Sequence, residues 1–243
     1  MTQTAKPATR STVAARVAAL EQRLARLEAQ QEIRALQHKY GYYLDKCHYR
    51  EVTQLFSDQA EVYFCGGLYQ GRAGIERLYI GRFGTRFVAG HNGPVFGFLL
   101  DHPQMQDVVT VADDARTAHG RFRSVMQAGL HYSARDSFPG TTSYEQWWEG
   151  GIYENEYVKE DGVWKFQRLQ YRPFWHGDYA KGWAKTDPMS AVIPTTTFPE
   201  DPLGPDELTG DFQLFPHTDT VPFHYPHPVT GQEWDPEAGR ALG

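Results

Sequence analysis

The chain has 243 residues, of which 14% are aromatic and 22% are charged, and its formal net charge at pH 7 is -6. With this acidic balance, nothing favours a nucleic-acid partner or an anionic-membrane partner. No apolar run approaches the ~18 residues of a membrane span, and residues 1–16 lack the apolar stretch of a signal peptide. We therefore expect a cytoplasmic globular protein with a small-molecule partner, no nucleic-acid partner and no membrane partner.

The first predicted element is a long helix, which follows a disordered tail over residues 1–12. Strong helix formers continue from Val13 to about Leu44. The apolar residues of its first half have the 4-3-4-3 spacing of a coiled coil: Val13, Val17, Leu20, Leu24 and Leu27. Because two heptads are too short to be stable alone, this half should pack on its own domain or on another subunit. We expect a homo-oligomer, either a dimer or a trimer.

Shorter elements follow the long helix. The patterns predict a helix over 49–56, a strand over 60–65, a helix over 74–83 and a long loop over 84–106. Strands are expected over 108–111 and 117–128, and a hairpin over 151–171 turns at Asp161-Gly162, a strong hairpin signal. The first hairpin strand carries Tyr153, Asn155 and Tyr157 on one face. Buried hydroxyls and amides need partners, so this face suits the wall of a polar, aromatic pocket.

The end of the chain has a different composition. Eleven of the 15 prolines lie from Pro173 onward, among many aromatic residues. Proline forbids regular structure there, whereas aromatic residues are rare in plain disorder. The sequence therefore divides into a tail and oligomerising helix (1–28), an α+β domain (29–175) and an extended C-terminal arm (176–243), which should lie over this subunit or a neighbour.

The order of elements predicts an α+β cone, in which a strongly curved antiparallel sheet wraps around the N-terminal helices. Over roughly residues 30–175 the chain resembles the SnoaL-like branch of the nuclear-transport-factor-2-like superfamily. The residues that carry this resemblance are Glu32-Ile33 through Tyr40 to Asp45, Leu55 to Glu61, His102-Pro103 through Val108 to Ala118, and the hairpin ending Asp161-Gly-Val-Trp164. The same scaffold hosts dehydratases, isomerases, cyclases and plain binding proteins.

Within that branch, the long helix, the inserted 84–101 segment and the proline-rich aromatic tail resemble the diarylpropane γ-formaldehyde lyases of bacterial lignin catabolism. This resemblance implies a cofactor-independent lyase that converts a phenolic diarylpropane-1,3-diol into a stilbene and formaldehyde through a quinone methide. Two alternatives stay open. One is a dehydratase, isomerase or cyclase acting on a small aromatic or polyketide-like substrate, and the other is a non-catalytic binder of aromatic ligands.

The resemblance to scytalone dehydratase-like members implies a catalytic pair of Asp45, which closes the long helix, and His102 on the sheet. A carboxylate bonded to one imidazole nitrogen leaves the other nitrogen for proton transfer. Alternatively, Asp45 caps the helix or forms a salt bridge with Lys46 or Arg50. Tyr43 and Tyr63 are the expected catalytic hydroxyls. The candidates for substrate contact are Tyr40, His91, Phe122, Tyr153, Asn155, Tyr157 and Tyr171, although a tyrosine can equally pack its ring and expose its tip.

Neither a metal nor a covalent nucleophile is expected. His217, His224 and His227 lie near Asp219, but without the spacing of a helical metal site. The two cysteines have no metal-ligand spacing and no activating motif. We therefore expect chemistry by acid and base groups alone, with no cofactor.

Overall fold

A computed structural model describes residues 12–137, 145–187, 193–210, 213–218 and 220–236. Of the predicted disordered tail, only Thr12 lies within the described residues. Asp219, which the sequence places near three histidines, also lies outside them. None of the described helices is both long enough and apolar enough to cross a lipid bilayer.

Helix α1 covers Val13–Asp45 and begins where Thr12 accepts a hydrogen bond from the backbone amide of Ala15 at 3.3 Å. A side-chain oxygen at this position satisfies one of the free amides of the first turn. The predicted long helix is therefore confirmed. Its second half packs on the sheet through buried residues at helical spacing, which are Ala29, Ile33, Leu36, Gln37, Tyr40, Gly41 and Leu44.

The remaining helical elements are α2 (Tyr49–Thr53), α3 (Gly71–Glu76), a π-helical stretch (Arg77–Phe83), α4 (Gly84–Val88) and two short 3-10 turns (Tyr132–Ser137 and Trp183–Lys185). The strands are β1 (Phe56–Phe64), β2 (Gly67–Gln70), β3 (Phe98–Asp101), β4 (Gln104–Val111), β5 (Thr117–Leu130), β6 (Gln146–Glu160), β7 (Val163–Asp178) and β8 (Glu207–Leu208).

The strands form one curved, unclosed sheet in the order β3-β5-β6-β7-β1-β2-β8, with β4 also paired to β5. All its pairs are antiparallel except β1 with β7. The second half of α1 and the segment 71–88 lie against the concave face, so the predicted α+β architecture is confirmed. Asp161 and Gly162 have φ values of 49° and 81°, as the expected tight turn requires.

The predicted loop over 84–106 was wrong in part. The helical segment that starts at Gly71 continues to Val88, and β3 and the start of β4 also lie within this range. Glycines at 81, 84 and 90 weaken the local helix signal, but packing of Phe83 and Phe87 against the core overrides it. Strand β2 was also missed, because its glycine-rich flanks indicate a turn.

Strand β7 passes through Pro173 and ends at Asp178, beyond the end predicted for the hairpin. A central strand donates amide hydrogens to neighbouring strands on both sides, and proline has no amide hydrogen to donate. Strand β1 pairs with β7 only as far as Gln170, so this side of β7 is an edge where Pro173 lies. The edge position explains why the proline is tolerated.

The described parts of the C-terminal arm pack on their own chain. Strand β8 pairs with β2, and Arg77 binds Asp206 at 2.6 Å. Further along, the outer face of β5 presents Arg121, whose guanidinium donates to the carbonyl oxygen of Val221 at 3.0 Å. The arm therefore covers part of the convex face of the sheet, away from α1.

The first half of α1 contacts the described part of the domain near the end of that half, where Arg26 pairs with Asp113 at 2.7 Å. The five apolar residues of the heptad pattern are exposed, with relative accessibilities of 77% for Val13, 47% for Val17, 59% for Leu20, 56% for Leu24 and 59% for Leu27. A continuous apolar stripe of this kind favours burial against another helix. Self-association through this stripe remains a prediction.

We expect replacement of Leu20 and Leu24 by glutamate to lower the mass of the particle in solution, because two charges in an apolar helix seam oppose pairing. Light scattering after size-exclusion chromatography measures the mass. The matched control places glutamates at Ala19 and Gln22, on the opposite face of the same helix. A monomer mass for the unmodified chain, or an equal loss in the control, would contradict the prediction.

Candidate functional site

A cavity of about 160 Å³ lies between the concave face of the sheet, the end of α1 and the helical segment 71–88. Its walls are mainly aromatic. The tyrosines that line it are Tyr40, Tyr49, Tyr79, Tyr153 and Tyr171. The other polar residues of the lining are Cys65, Arg82, Arg86, His102, Glu149 and His176. The arrangement suits an aromatic ligand held by a few directed polar groups.

His102 lies between β3 and β4, and its side chain is buried against the cavity. Its Nε2 atom is 3.3 Å from the hydroxyl of Tyr153, and its ring centre is 5.7 Å from that of Tyr171. Burial lowers the pKa of His102 to about 4, although the carboxylates of Glu149 and Asp101 act in the opposite direction. The imidazole is therefore neutral at pH 7, with a lone pair on one ring nitrogen.

A buried hydrogen-bond chain fixes the backbone of His102. Its carbonyl oxygen accepts from Gln104 at 2.9 Å, and the side chain of Gln104 accepts from Gln37 on α1 at 2.7 Å. The amide oxygen of Gln37 in turn accepts from Asn155 at 2.9 Å and from Tyr157 at 2.8 Å. Asn155 and Tyr157, predicted as ligand contacts, are therefore engaged inside the core and do not line the cavity.

Glu149 supplies a carboxylate to the cavity wall. Its two oxygens accept from the Tyr171 hydroxyl at 2.8 Å and pair with His176 Nδ1 at 3.2 Å. A Cβ atom at Gly151 would lie 2.7 Å from the Tyr171 ring, so that ring can lie across β6 only because residue 151 is glycine. Glu149 lies on the same face of β6 as Gly151 and Tyr153. Extending the alternation of the strand two residues upstream of Gly151 would have identified it.

The orientation of His176 depends on a β-bulge. Gly151 pairs with Pro173 and Gly150 pairs with Trp175, which leaves one extra residue on β7 between them. An extra residue reverses the alternation of the strand beyond it. His176 therefore pairs with Glu149 and faces inward. Simple alternation from Tyr171 would place it outward, so no sequence signal indicates its position.

The tyrosines of the cavity act as neutral donors. The hydroxyls of Tyr40 and Tyr79 are 3.0 Å apart, and burial raises the pKa of Tyr40 to about 12. Burial also raises the pKa values of Tyr153 and Tyr171 well above the usual value of 10.0. These hydroxyls keep their protons at pH 7. Tyr171 donates its proton to Glu149, whereas Tyr40 and Tyr153 can donate hydrogen bonds to oxygen atoms of a ligand. Of the predicted residues, Tyr40, His102, Tyr153 and Tyr171 thus meet at one cavity.

Asp45 is adjacent to His102 but is not bonded to its imidazole. Burial and the charge of Asp101 raise the pKa of Asp45 to about 6, although the backbone amide of His102 and the charge of Lys46 act in the opposite direction. Among the described residues, neither Asp45 Oδ1 nor His102 Nδ1 has a hydrogen-bond partner. The structure therefore does not form the carboxylate–imidazole bond that the resemblance implies, although the backbone brings the two residues together.

Four other predicted residues lie outside the cavity lining. Tyr43 is half-buried beside the core, and His91 is exposed after α4. Phe122 is fully buried within the core. Tyr63 was expected inward, but its hydroxyl contacts Glu61 on the outer face at 3.4 Å, while Phe64 lines the cavity. The acidic neighbour on the same face is the signal that would have corrected this prediction.

The helical segment 71–88 supplies two arginines that the sequence analysis missed. The cavity-lining residues of this segment recur at helical spacing: Tyr79, Arg82, Phe83, Arg86 and Phe87. Ending the predicted helix at residue 83 concealed the stripe. In contrast to these clustered groups, the described residues contain no set of three or more His, Cys, Asp or Glu side chains suited to a metal ion.

The open curved sheet around helices, with an aromatic cavity on its concave face, defines the nuclear-transport-factor-2-like class of α+β fold. The model of the SnoaL-like domain family matches residues 25–170, more than half of the chain, so this protein belongs to that family. No curated protein matches the chain.

Several solved structures resemble this chain. LinA matches with 19% identity over 65% of this chain and 95% of that chain, at a TM-score of 0.52. Hexachlorocyclohexane dehydrochlorinase LinA-type3 from Novosphingobium barchaimii LL02 matches with 21% identity over 65% and 94%, at 0.50. A protein from Novosphingobium aromaticivorans DSM 12444, provisionally named a scytalone dehydratase, matches with 26% identity over 63% and 89%, at 0.47. The first two likenesses support the fold.

The low pKa of His102 predicts a pH-dependent stability. The unfolded chain takes up this proton near the ordinary pKa of 6.5 and the folded chain near 4, so stability is complete above 6.5 and falls as the pH is lowered. Between pH 7 and pH 4 we expect the wild type to lose about 3 kcal/mol more unfolding free energy than His102→Gln. Asp45 acts in the opposite direction in both proteins. Urea unfolding at both pH values measures the difference, and equal losses would contradict it.

Proposed function

We propose that this protein is a cofactor-independent enzyme that catalyses an elimination on a phenolic aromatic substrate. The observation that carries the proposal is a buried, neutral imidazole at His102, beside the hydroxyl of Tyr153, on the wall of an aromatic cavity. Glu149 and its partners Tyr171 and His176 add a second polar cluster to the same cavity. These groups provide a base and several proton donors without any bound group.

The specific reaction we propose is the conversion of a diarylpropane-1,3-diol into a stilbene, formaldehyde and water. The para-oxygen first loses its proton, and protonation of the benzylic hydroxyl then expels it as water, which gives a quinone methide. A base then removes the proton of the terminal hydroxyl. The bond between the central carbon of the chain and the terminal carbon breaks, and the terminal carbon leaves as formaldehyde. The electron pair of that bond forms the stilbene double bond, and the exocyclic pair of the quinone methide returns through the ring to the ring oxygen. The ring is the electron sink, so the reaction needs no cofactor.

In this proposal His102 is the base for the terminal hydroxyl, and Tyr153 holds the departing oxygen. The Glu149–His176 pair is the proton donor for the benzylic hydroxyl. Asp45 orients His102, because a bond between them would satisfy the two polar atoms that lack partners, Asp45 Oδ1 and His102 Nδ1. Each acid or base step contributes roughly 10²–10⁴-fold in rate.

A second candidate is dehydration of a one-ring phenolic substrate by the same groups. The cavity volume of about 160 Å³ favours it, because pockets for larger ligands usually span ~300–1,000 Å³. Dehydration stops after loss of water and releases no formaldehyde. A non-catalytic binder, by contrast, would retain its ligand after loss of His102 and Glu149 and would have no turnover to lose.

We expect the purified protein to convert erythro-1,2-diguaiacylpropane-1,3-diol into equal amounts of formaldehyde and stilbene. A colorimetric assay measures the aldehyde, and ultraviolet absorbance measures the stilbene. His102→Gln should lower kcat by about 10²–10⁴-fold because it removes the base. Stilbene-free turnover that releases only water would favour dehydration, and binding without turnover would favour the binder.

The Tyr153 hydroxyl should contribute to turnover rather than to packing alone. We expect Tyr153→Phe to lower kcat by roughly 10²-fold with a smaller change in KM, since the ring is kept and only the donor is lost. Tyr42→Phe is the matched control, because Tyr42 is 75% exposed on α1. Equal kinetics of the two variants would remove Tyr153 from the mechanism.

A further inference from the structure

Two guanidinium groups line the aromatic cavity, and they differ in their partners. The side chain of Arg82 is 15% exposed, lies 3.9 Å from Asp201 and reaches the Tyr69 hydroxyl at 3.4 Å. Arg86 has no hydrogen bond or ion pair to any residue that the structure describes, and its guanidinium carbon lies 5.6 Å from the ring centre of Phe87. A half-buried arginine without an anionic partner carries an uncompensated charge.

The surroundings do not neutralise this charge. Burial and the like charge of Arg82 lower the pKa of Arg86. Burial raises the pKa of the neighbouring Cys65 thiol well above its usual value, so this group is neutral. Glu149, a carboxylate in the cavity lining, is already bonded to Tyr171 and His176. An anionic oxygen placed in the cavity would therefore be stabilised by Arg86 in a site with little water.

The aromatic residues beside Arg86 indicate what carries that oxygen. Phe83 and Phe87 flank Arg86 on the helical stripe and line the cavity, and Phe87 stacks on Phe98 with ring centres 5.4 Å apart. Walls of this kind hold an aromatic ring, and the group that then meets the guanidinium is a substituent of that ring. In the proposed elimination the ring oxygen becomes negatively charged before the benzylic hydroxyl departs.

We propose that Arg86, assisted by Arg82, binds the para-oxygen of the substrate as a phenolate and so promotes its ionisation inside the cavity. This inference rests on the proposed function for its chemistry, because a phenolate pushes electrons through the ring to expel the benzylic hydroxyl. The phenolic proton goes to solvent, and the ring oxygen regains its electron pair when the stilbene forms. Arg86 is thereby a catalytic residue on the helical wall, opposite the base on the sheet.

The test measures ionisation of a bound phenol and does not depend on turnover. The probe is 4-nitrophenol, whose phenolate alone absorbs visible light, titrated with pH in the presence of saturating protein. An opposite charge within about 4–6 Å lowers a pKa by roughly one to three units. We expect such a decrease for the bound probe in the wild type, retention of most of it in Arg86→Lys, and its loss in Arg86→Met.

Arg72→Met is the control for net charge, because Arg72 pairs with Asp58 on the surface and does not line the cavity. It should leave the pKa of the bound probe unchanged. The carboxylate 4-nitrobenzoate has a similar shape and serves as a second probe. Arg86→Met could weaken the binding of 4-nitrobenzoate and yet leave the pKa of bound 4-nitrophenol at its wild-type value. In that case the arginine recognises a carboxylate, and the phenolate proposal is overturned.

Failure of 4-nitrophenol to bind, or a bound pKa that Arg86→Met leaves unchanged, would also overturn the proposal. The result is separable from the proposed function. An Arg86-dependent ionisation in a protein that does not convert the diol would retain the phenolate site and reject the lyase reaction. Diol turnover at an unaltered rate in Arg86→Met would retain the lyase and reject the catalytic role of Arg86.

Discussion

The site depends on one buried polar contact, the bonding of Gln37 to the concave face of the sheet. Gln37 is fully buried, and its amide joins α1 to Asn155 and Tyr157 on β6 and to Gln104 on β4. An unsatisfied group at such a depth would cost about 1–3 kcal/mol, so the register of helix against sheet is strongly constrained. The same chain continues to the backbone of His102, which links the packing of the fold to the position of its candidate base.

Desolvation then sets the chemistry of the cavity. The aromatic walls that exclude water keep His102 neutral and the tyrosine hydroxyls protonated, because each charged form loses hydration. The same exclusion strengthens the field of the two arginines on the helical wall. One physical cause thus keeps His102 and the tyrosines neutral and strengthens the field of the arginines in a single cavity.

The parts of the chain outside the family match have a different relation to the site. The SnoaL-like match covers residues 25–170 and so leaves out the first 12 residues of α1, His176 and the C-terminal arm. Yet His176 lines the cavity, and Asp201 lies near Arg82 at its edge. The arm therefore contributes to the electrostatics of the site as well as covering the sheet. Family membership alone would have left these contributions out.

Local physics was enough to determine several features from the sequence. Helix propensity over Val13 to Leu44 and the Asp161-Gly162 turn depend on neighbouring residues, and both were predicted. His102, Tyr153 and Tyr171 were predicted from pattern and from the family resemblance, and all three line the cavity. Tertiary structure alone decided the orientation of His176, because a bulge opposite Gly150 and Gly151 reverses the strand alternation. It likewise decided the continued helix that carries Arg86, where packing of Phe83 and Phe87 outweighs a glycine-rich sequence, since side-chain burial depends on partners distant in the chain.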